Sequence, residues 1–255
     1  MAQRNGTVLV NFLAELEDLH GRFFIGRRKE KNMNHEFQFV TAIHGNETMP
    51  HRALRQIGEK HVIGNPLALL LNRRFINLDL NASFGVRGVL YEQLRAPQVL
   101  KKLNSHGLVI DFHTFSCDSP PFAIVVDESM IPLASSLGVE HVVHMRHNIK
   151  KGHALINFRD GVSVEVGAHK DQRSFDLAQQ IVMKLKNNGI KPQSVRVYEV
   201  FGKIEEPGNY QNFVRAQDGI IPVLYGEKAY IKQGFYGLIA REIILKGGDT
   251  HERAQ

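Results

Sequence analysis

FQFVTAIHGNE, residues 37–47, decides the fold. FQFVTAI is a near-continuous apolar run, which suits a strand buried on both faces of a sheet. The run exits at once into His44, Gly45, Asn46 and Glu47. A histidine and a carboxylate three apart at a strand exit can hold something. What they hold depends on what else reaches them. GLVIDFH (107–113) and FAIVVD (122–127) read as further buried strands. Residues 50–60 and 88–105 read as helices, with Pro97 marking a start or a kink in the second. SFDLAQQIVMKLKNNG (174–189) is the clearest helix. Ser174 is its expected N-cap, Phe175, Leu177, Ile181, Val182 and Leu185 its apolar face, and Gly189 its C′ residue. After KPQ (191–193) the texture turns β-rich, with Gly and Pro punctuation and no helical stretch. The expected organisation is an α/β domain over residues 1–190 and a small β-rich C-terminal domain over 191–255, its tail frayed.

The totals bound the function classes. The chain has 255 residues, of which 43% are hydrophobic and 23% charged, as in an ordinary globular protein. No apolar run reaches the roughly 18–20 residues of a membrane helix, and the N-terminus is a poor signal peptide. The single cysteine, Cys117, excludes an internal disulfide and fits a reducing compartment. The expected location is the cytoplasm. The net charge of +6 suggests an anionic partner. Its densest runs, GRRKEK (26–31) and RHNIKK (146–151), read as solvated loops. No zinc-finger, helix-turn-helix or RNP-like motif accompanies them, which argues against nucleic acid.

Imidazole nitrogen and carboxylate oxygen suit zinc, and a catalytic zinc usually has three protein ligands and an open position. His44 and Glu47 could supply two, although HxxE alone is a weak signal. His113 ends another predicted strand, so the candidates gather at strand C-termini, where open α/β sheets place their ligands. Cys117 reads as a small buried residue rather than a further ligand. A hydrolytic site also needs a base. Glu165, in GVSVEVG (161–167), shares a strand face with Ser163 while Val162, Val164 and Val166 share the other. The competing reading is a surface or edge-strand glutamate. RRFINLDLNASF (73–84) offers Arg74, a fixed cation for a carbonyl or oxyanion, and Asn81 for orienting a polar group. It reads equally as a turn in which Asp79 and Asn81 hold their own backbone. His169 could sit near the site, but reads more readily as a surface histidine.

HGNE, RFINLDLN, DFH and VEVG, in that order, resemble the aspartoacylase and succinylglutamate desuccinylase family, relatives of the zinc carboxypeptidases. The motifs span residues 38–170, and PVLYGEKAY (222–230) resembles the family's closing segment more weakly. The resemblance implies a zinc carboxypeptidase-like mixed sheet flanked by helices, with a small β-rich C-terminal domain. It implies one zinc per chain on His44, Glu47 and His113, with Glu165 as general base. It implies that Arg74 polarises the scissile carbonyl and that Asn81 and Tyr230 bind substrate, with Asp79 in a supporting place. The implied activity is hydrolysis of the amide of an N-acylated amino acid or similar small amide, by a protein that can form dimers.

One departure stands out. Much of the family continues DLN with an arginine for a substrate carboxylate, and here that residue is Ala82, which cannot form a bidentate pair. This puts N-acetylaspartate and N-succinylglutamate in question. Arg87 and Arg146 are alternative cations. The other possibility is a substrate without that carboxylate. Two rival readings are a metallocarboxypeptidase acting on peptides, which would need the missing clamp, and a non-catalytic binding protein on the same fold.

Overall fold

The computed structural model describes residues 36–145 and 151–244. The run GRRKEK, Arg146 and most of RHNIKK lie outside the described residues. Along the chain come β1 (Phe37–Thr41), α1 (Thr48–Gln56), β2 (His61–Ile63), α2 (Pro66–Leu70), α3 (Tyr91–Lys102) and β3 (Leu108–Phe115). Then follow β4 (Phe122–Val125), α4 (Ile131–Ser135), β5 (His141–His144), β6 (Gly161–Ala168) and α5 (Gln172–Asn188). The C-terminal part contributes β7 (Arg196–Ile204), β8 (Ile221–Val223), α6 (Lys228–Ile231) and β9 (Gly237–Ile243). Among the described residues no helix is long and apolar enough to cross a membrane.

Among the described residues the nine strands form one mixed sheet, in the order β2-β1-β3-β6-β4-β5-β7-β9-β8. β2, β1, β3 and β6 run parallel. β4 reverses against β6, then β5 and β7 run parallel to β4. β9 runs antiparallel to both β7 and β8, so the strands after residue 190 extend the same sheet. Helices cover both faces of its first half, which is why those strands are apolar at nearly every position. Phe39, Ile110, Phe112 and Val164 pack with Leu54 of α1 and Ile181 and Leu185 of α5. Val40 and Val109, one residue out of phase, pack on the other face with Ala96 and Val99 of α3. The C-terminal strands build a third cluster around Phe122, Tyr198, Phe213 and Leu238.

Local chemistry shifts two expectations. α5 begins earlier than Ser174 because the Asp171 carboxylate accepts the Arg173 N–H at 2.9 Å and caps first. Ser174 lies inside the first turn and donates its hydroxyl to the Ala168 carbonyl at 2.8 Å. The C-terminal part also contains α6, whose four residues are too few to show a helical period in sequence. Gly189 follows α5 at φ +65°, the conformation a C′ glycine supplies.

Candidate active site

The site grows from the exit of β1. Ala42 turns the chain with φ +54°. The Gly64 N–H then bonds the Thr41 carbonyl, and the Asn65 N–H bonds that of Ala42, each at 2.8 Å. Helix α2 passes so close that a Cβ on Gly45 would stand 2.1–2.4 Å from backbone atoms of Ala68 and Leu69. Only glycine fits between them. The Gly45 N–H donates to the Arg74 carbonyl at 3.1 Å, which ties HGNE to the segment carrying Arg74.

That segment owes its irregular shape to one buried carboxylate. Glu92 of α3 accepts the backbone N–H groups of Ile76, Asn77 and Leu78 at 2.7–3.0 Å and the Asn65 amide at 3.0 Å. Burial would raise this carboxyl, but the four donors outweigh it and hold it below its ordinary value. Asp79 then accepts the Asn81 N–H at 2.9 Å and starts a short 3₁₀ turn, Leu80–Ala82.

His44, Glu47 and His113 come together, each at most 4% exposed, with one ligand-capable atom of each within 4.8 Å of the others. His44 Nδ1 lies 2.7 Å from Glu47 Oε1, and His113 Nδ1 lies 3.1 Å from Glu47 Oε2. The far nitrogens also face carboxylates: His44 Nε2 is 2.9 Å from Asp79 Oδ1, and His113 Nε2 is 2.8 Å from Asp111 Oδ2. Ser163 Oγ donates to Asp111 Oδ2 at 3.2 Å. Metal-binding histidines are commonly oriented in this way, one nitrogen toward the ion and the other donating to a carboxylate. Two imidazoles and a carboxylate are also the donor set of a catalytic zinc. The residues therefore fit a divalent metal.

Electrostatics divides the acids of this site. Burial alone would raise the Glu47 carboxyl, but His44 and His113 outweigh it and hold the group well below the ordinary carboxylate range. Burial alone would lower His113, but Asp111 and Glu47 hold it well above the usual imidazole value. Glu165 is different. It pairs in register with His113 on β3 and Phe122 on β4, in the middle of the sheet rather than at an edge. Its Oε2 is sealed from solvent and has no hydrogen-bond partner among the described residues. Burial therefore pushes this carboxyl up to about 8, despite the opposing pull of His113.

His44, Glu47, His113, Glu165, Arg74, Asn81 and Tyr230 all line one cavity. Arg74 Nη1 donates to Glu47 Oε1 at 3.4 Å, and Nη2 stands 3.7 Å from Asp79 Oδ2. Asn81 Oδ1 accepts the Leu155 N–H at 3.1 Å, which leaves its amide nitrogen as the end to offer a ligand. Tyr230 stacks on Phe235 with centroids 4.6 Å apart, and burial raises its phenol, which stays neutral. Cys117 lines no part of the cavity, and burial pushes its thiol up. Arg87 lines neither this cavity nor the groove outside it.

Sequence reasoning missed three participants. The Thr114 N–H donates to Glu47 Oε2 at 3.1 Å. His169, expected at the surface, is half-buried, with Nδ1 2.7 Å from Thr114 Oγ1. Glu227 is buried, lines the cavity, accepts the Ser116 N–H at 2.7 Å and the Ala229 N–H at 3.2 Å, and so latches α6 to the end of β3. The one signal for Glu227 was its place as an N-cap before KAYI.

No family model matches the chain. It is similar to a protein named probable aspartoacylase from Prochlorococcus marinus (strain AS9601), at 26% identity over 223 residues covering 71% of this chain and 73% of that protein. A protein of the same name from strain MIT 9215 is 24% identical over the same shares. Its fold is that of murine aminoacylase 3, with a TM-score of 0.66 at 16% identity over 84% of this chain and 97% of the other. Succinylglutamate desuccinylase from Vibrio cholerae shares it too, with a TM-score of 0.61 at 17% identity over 84% of each chain. The resemblance first drawn from four short motifs thus extends to curated relatives and, at these identities, to the fold.

Proposed function

We infer that this chain, which resembles the aspartoacylase and succinylglutamate desuccinylase family in motifs, curated relatives and fold, is a metal-dependent hydrolase that removes the acyl group of an N-acylated amino acid or similar small amide. The observation that carries this reading is the pairing, in one cavity, of a buried His–Glu–His cluster with Glu165, whose buried Oε2 has no hydrogen-bond partner among the described residues. His44, Glu47 and His113 would hold one zinc ion per chain. Zinc, when bound, supplies the Lewis acidity that makes water a nucleophile near neutral pH and polarises a carbonyl.

The protein's own groups do the rest. Glu165 takes the proton of the attacking water and passes it to the leaving amine, a role its raised affinity for protons suits. Arg74, kept cationic by Glu47 and Asp79 against the effect of burial, holds the oxyanion that develops on the amide oxygen. Asn81 and Tyr230 orient the substrate. Residues up to 190 would form the catalytic part. Those beyond it would close the cavity with Leu224, Glu227 and Tyr230. A cytoplasmic setting would keep Cys117 a thiol.

The test is metal content and amine release measured together on wild type, His44→Ala and His113→Ala over a panel of N-acyl amino acids. The reading predicts about one zinc per chain, lost in both variants together with hydrolysis. Hydrolysis that survives either substitution would overturn it.

A further inference from the structure

The cavity and the groove outside it differ in charge. Beyond the candidate metal ligands the cavity's inner wall is built from Phe115, Ile124, Val126, Met145, Ile156 and Leu224. Among the described residues Arg74 is the cation that lines it, and Arg74 is already engaged with Glu47 and Asp79. A carboxylate placed against the inner wall would lose its water without gaining a partner, at a cost of several kcal/mol.

The groove outside also has apolar residues, Phe75 and Leu78 among them, but differs in charge. It meets the inner cavity at Arg74 and Glu227, contains Ala82, and is bordered by Lys151, Lys228 and Lys232 with His153 and His169. Its acids are already satisfied. Asp79 faces His44 and Arg74, and Glu227 accepts two backbone N–H groups. None of the three lysines pairs with an acid among the described residues. Cations therefore border the groove around Ala82.

We propose that the substrate is an amphipathic amide, with its apolar half in the inner cavity and its anionic half in the lysine-bordered groove. This rests on the deacylase reading and deepens it: the two halves flanking the scissile bond differ in kind, and amides with a carboxylate on both halves are excluded. Substrate length and the apolar wall then set affinity, while the lysines set the sign of charge accepted.

The test uses four probes on the zinc-loaded Glu165→Gln protein, read by calorimetry. N-hexanoyl-L-glutamate and N-succinylhexylamine are amphipathic in the two orientations. N-succinyl-L-glutamate is anionic at both ends, and N-hexanoylbutylamine is anionic at neither. One amphipathic probe is expected to bind at least about tenfold tighter than N-succinyl-L-glutamate and the neutral probe, since each methylene buried is worth roughly 0.8 kcal/mol. Lys228→Ala/Lys232→Ala should weaken that probe about fivefold and flatten its salt dependence. Unchanged binding of N-hexanoylbutylamine by the double variant would show that the fold is intact. Equal or tighter binding of N-succinyl-L-glutamate, or no binding by any probe, would overturn the proposal. Amine release by wild type separates the two claims. The predicted binding order without turnover would sink the deacylase reading alone. Turnover led by N-succinyl-L-glutamate would sink this inference alone.

Discussion

Glu47 and Glu165 are the same residue type in the same cavity, yet their surroundings differ at every point. Glu47 sits at a strand exit with two imidazoles, Arg74 and the Thr114 N–H on its two oxygens. Glu165 sits in mid-sheet with Oε2 facing no donor. The first is held far down its titration range and the second is raised to about 8. A carboxylate built to stay ionised suits a ligand. One that binds a proton near neutral pH suits a shuttle. The difference comes from neighbours, since the residues themselves are identical.

The largest effect should come from destroying the better-held side of this contrast. Glu47→Ala leaves two buried histidines facing a void. It should abolish metal binding and cost about 3–5 kcal/mol of stability, read by denaturant unfolding beside metal analysis. Glu165→Gln should do the reverse: hydrolysis falls about 10²–10⁴-fold while metal content holds. Its unfolding midpoint should not drop, because the amide removes a carboxyl that is costly to ionise there.

Asp111→Asn tests whether the imidazole's far side matters. It removes the charge behind His113 Nε2 and should weaken metal affinity about 10–100-fold with the ligands intact. Full affinity in that variant would mean that Asp111 serves only the sheet core. The smallest effect is on pH. His113 is raised well above the ordinary imidazole value in the metal-free protein, so it carries a proton there below its shifted pKa. That proton must leave when metal binds. Metal affinity should therefore climb with pH, by about tenfold per unit while His113 stays protonated, as measured by titration from pH 6 to 7. A flat profile would contradict the raised His113. The carboxyl of Glu165 must be ionised to act, so the acid limb of hydrolysis should lie at or below about 8, the metal's charge pulling it down.

Sequence and structure agree most where function coincides with regular elements. FQFVTAI and LVIDFH announce buried strands, and parallel strands bring their C-terminal ends together, so His44 and His113 could be placed near one another from pattern, while Glu165, in GVSVEVG, read as readily as a surface residue and joined them only through the family resemblance. Gly45 was legible as a glycine but not as a necessity, because the backbone it must clear belongs to α2. The rest was hidden for a different reason. Glu227 and Ser116 lie 111 residues apart, and the apolar wall is drawn from the ends of β3, β4, β5 and β8 and from the loop after β5. No local period encodes such neighbours. His169 was misread for the same cause, its Thr114 partner being 55 residues away. Lys151 was read only as part of a solvated loop, and it is exposed, as are Lys228 and Lys232, so nothing local ties the three to one groove.

The most direct test of the central claim is zinc stoichiometry in wild type, Glu47→Gln and Glu165→Gln, purified and loaded identically. Each substitution turns a carboxyl of the same cavity into an amide with little change in shape. The account predicts about one ion per chain in wild type and in Glu165→Gln, and none in Glu47→Gln. Zinc retained by Glu47→Gln, or lost by Glu165→Gln, would mean that ligand and base have been assigned to the wrong carboxylates.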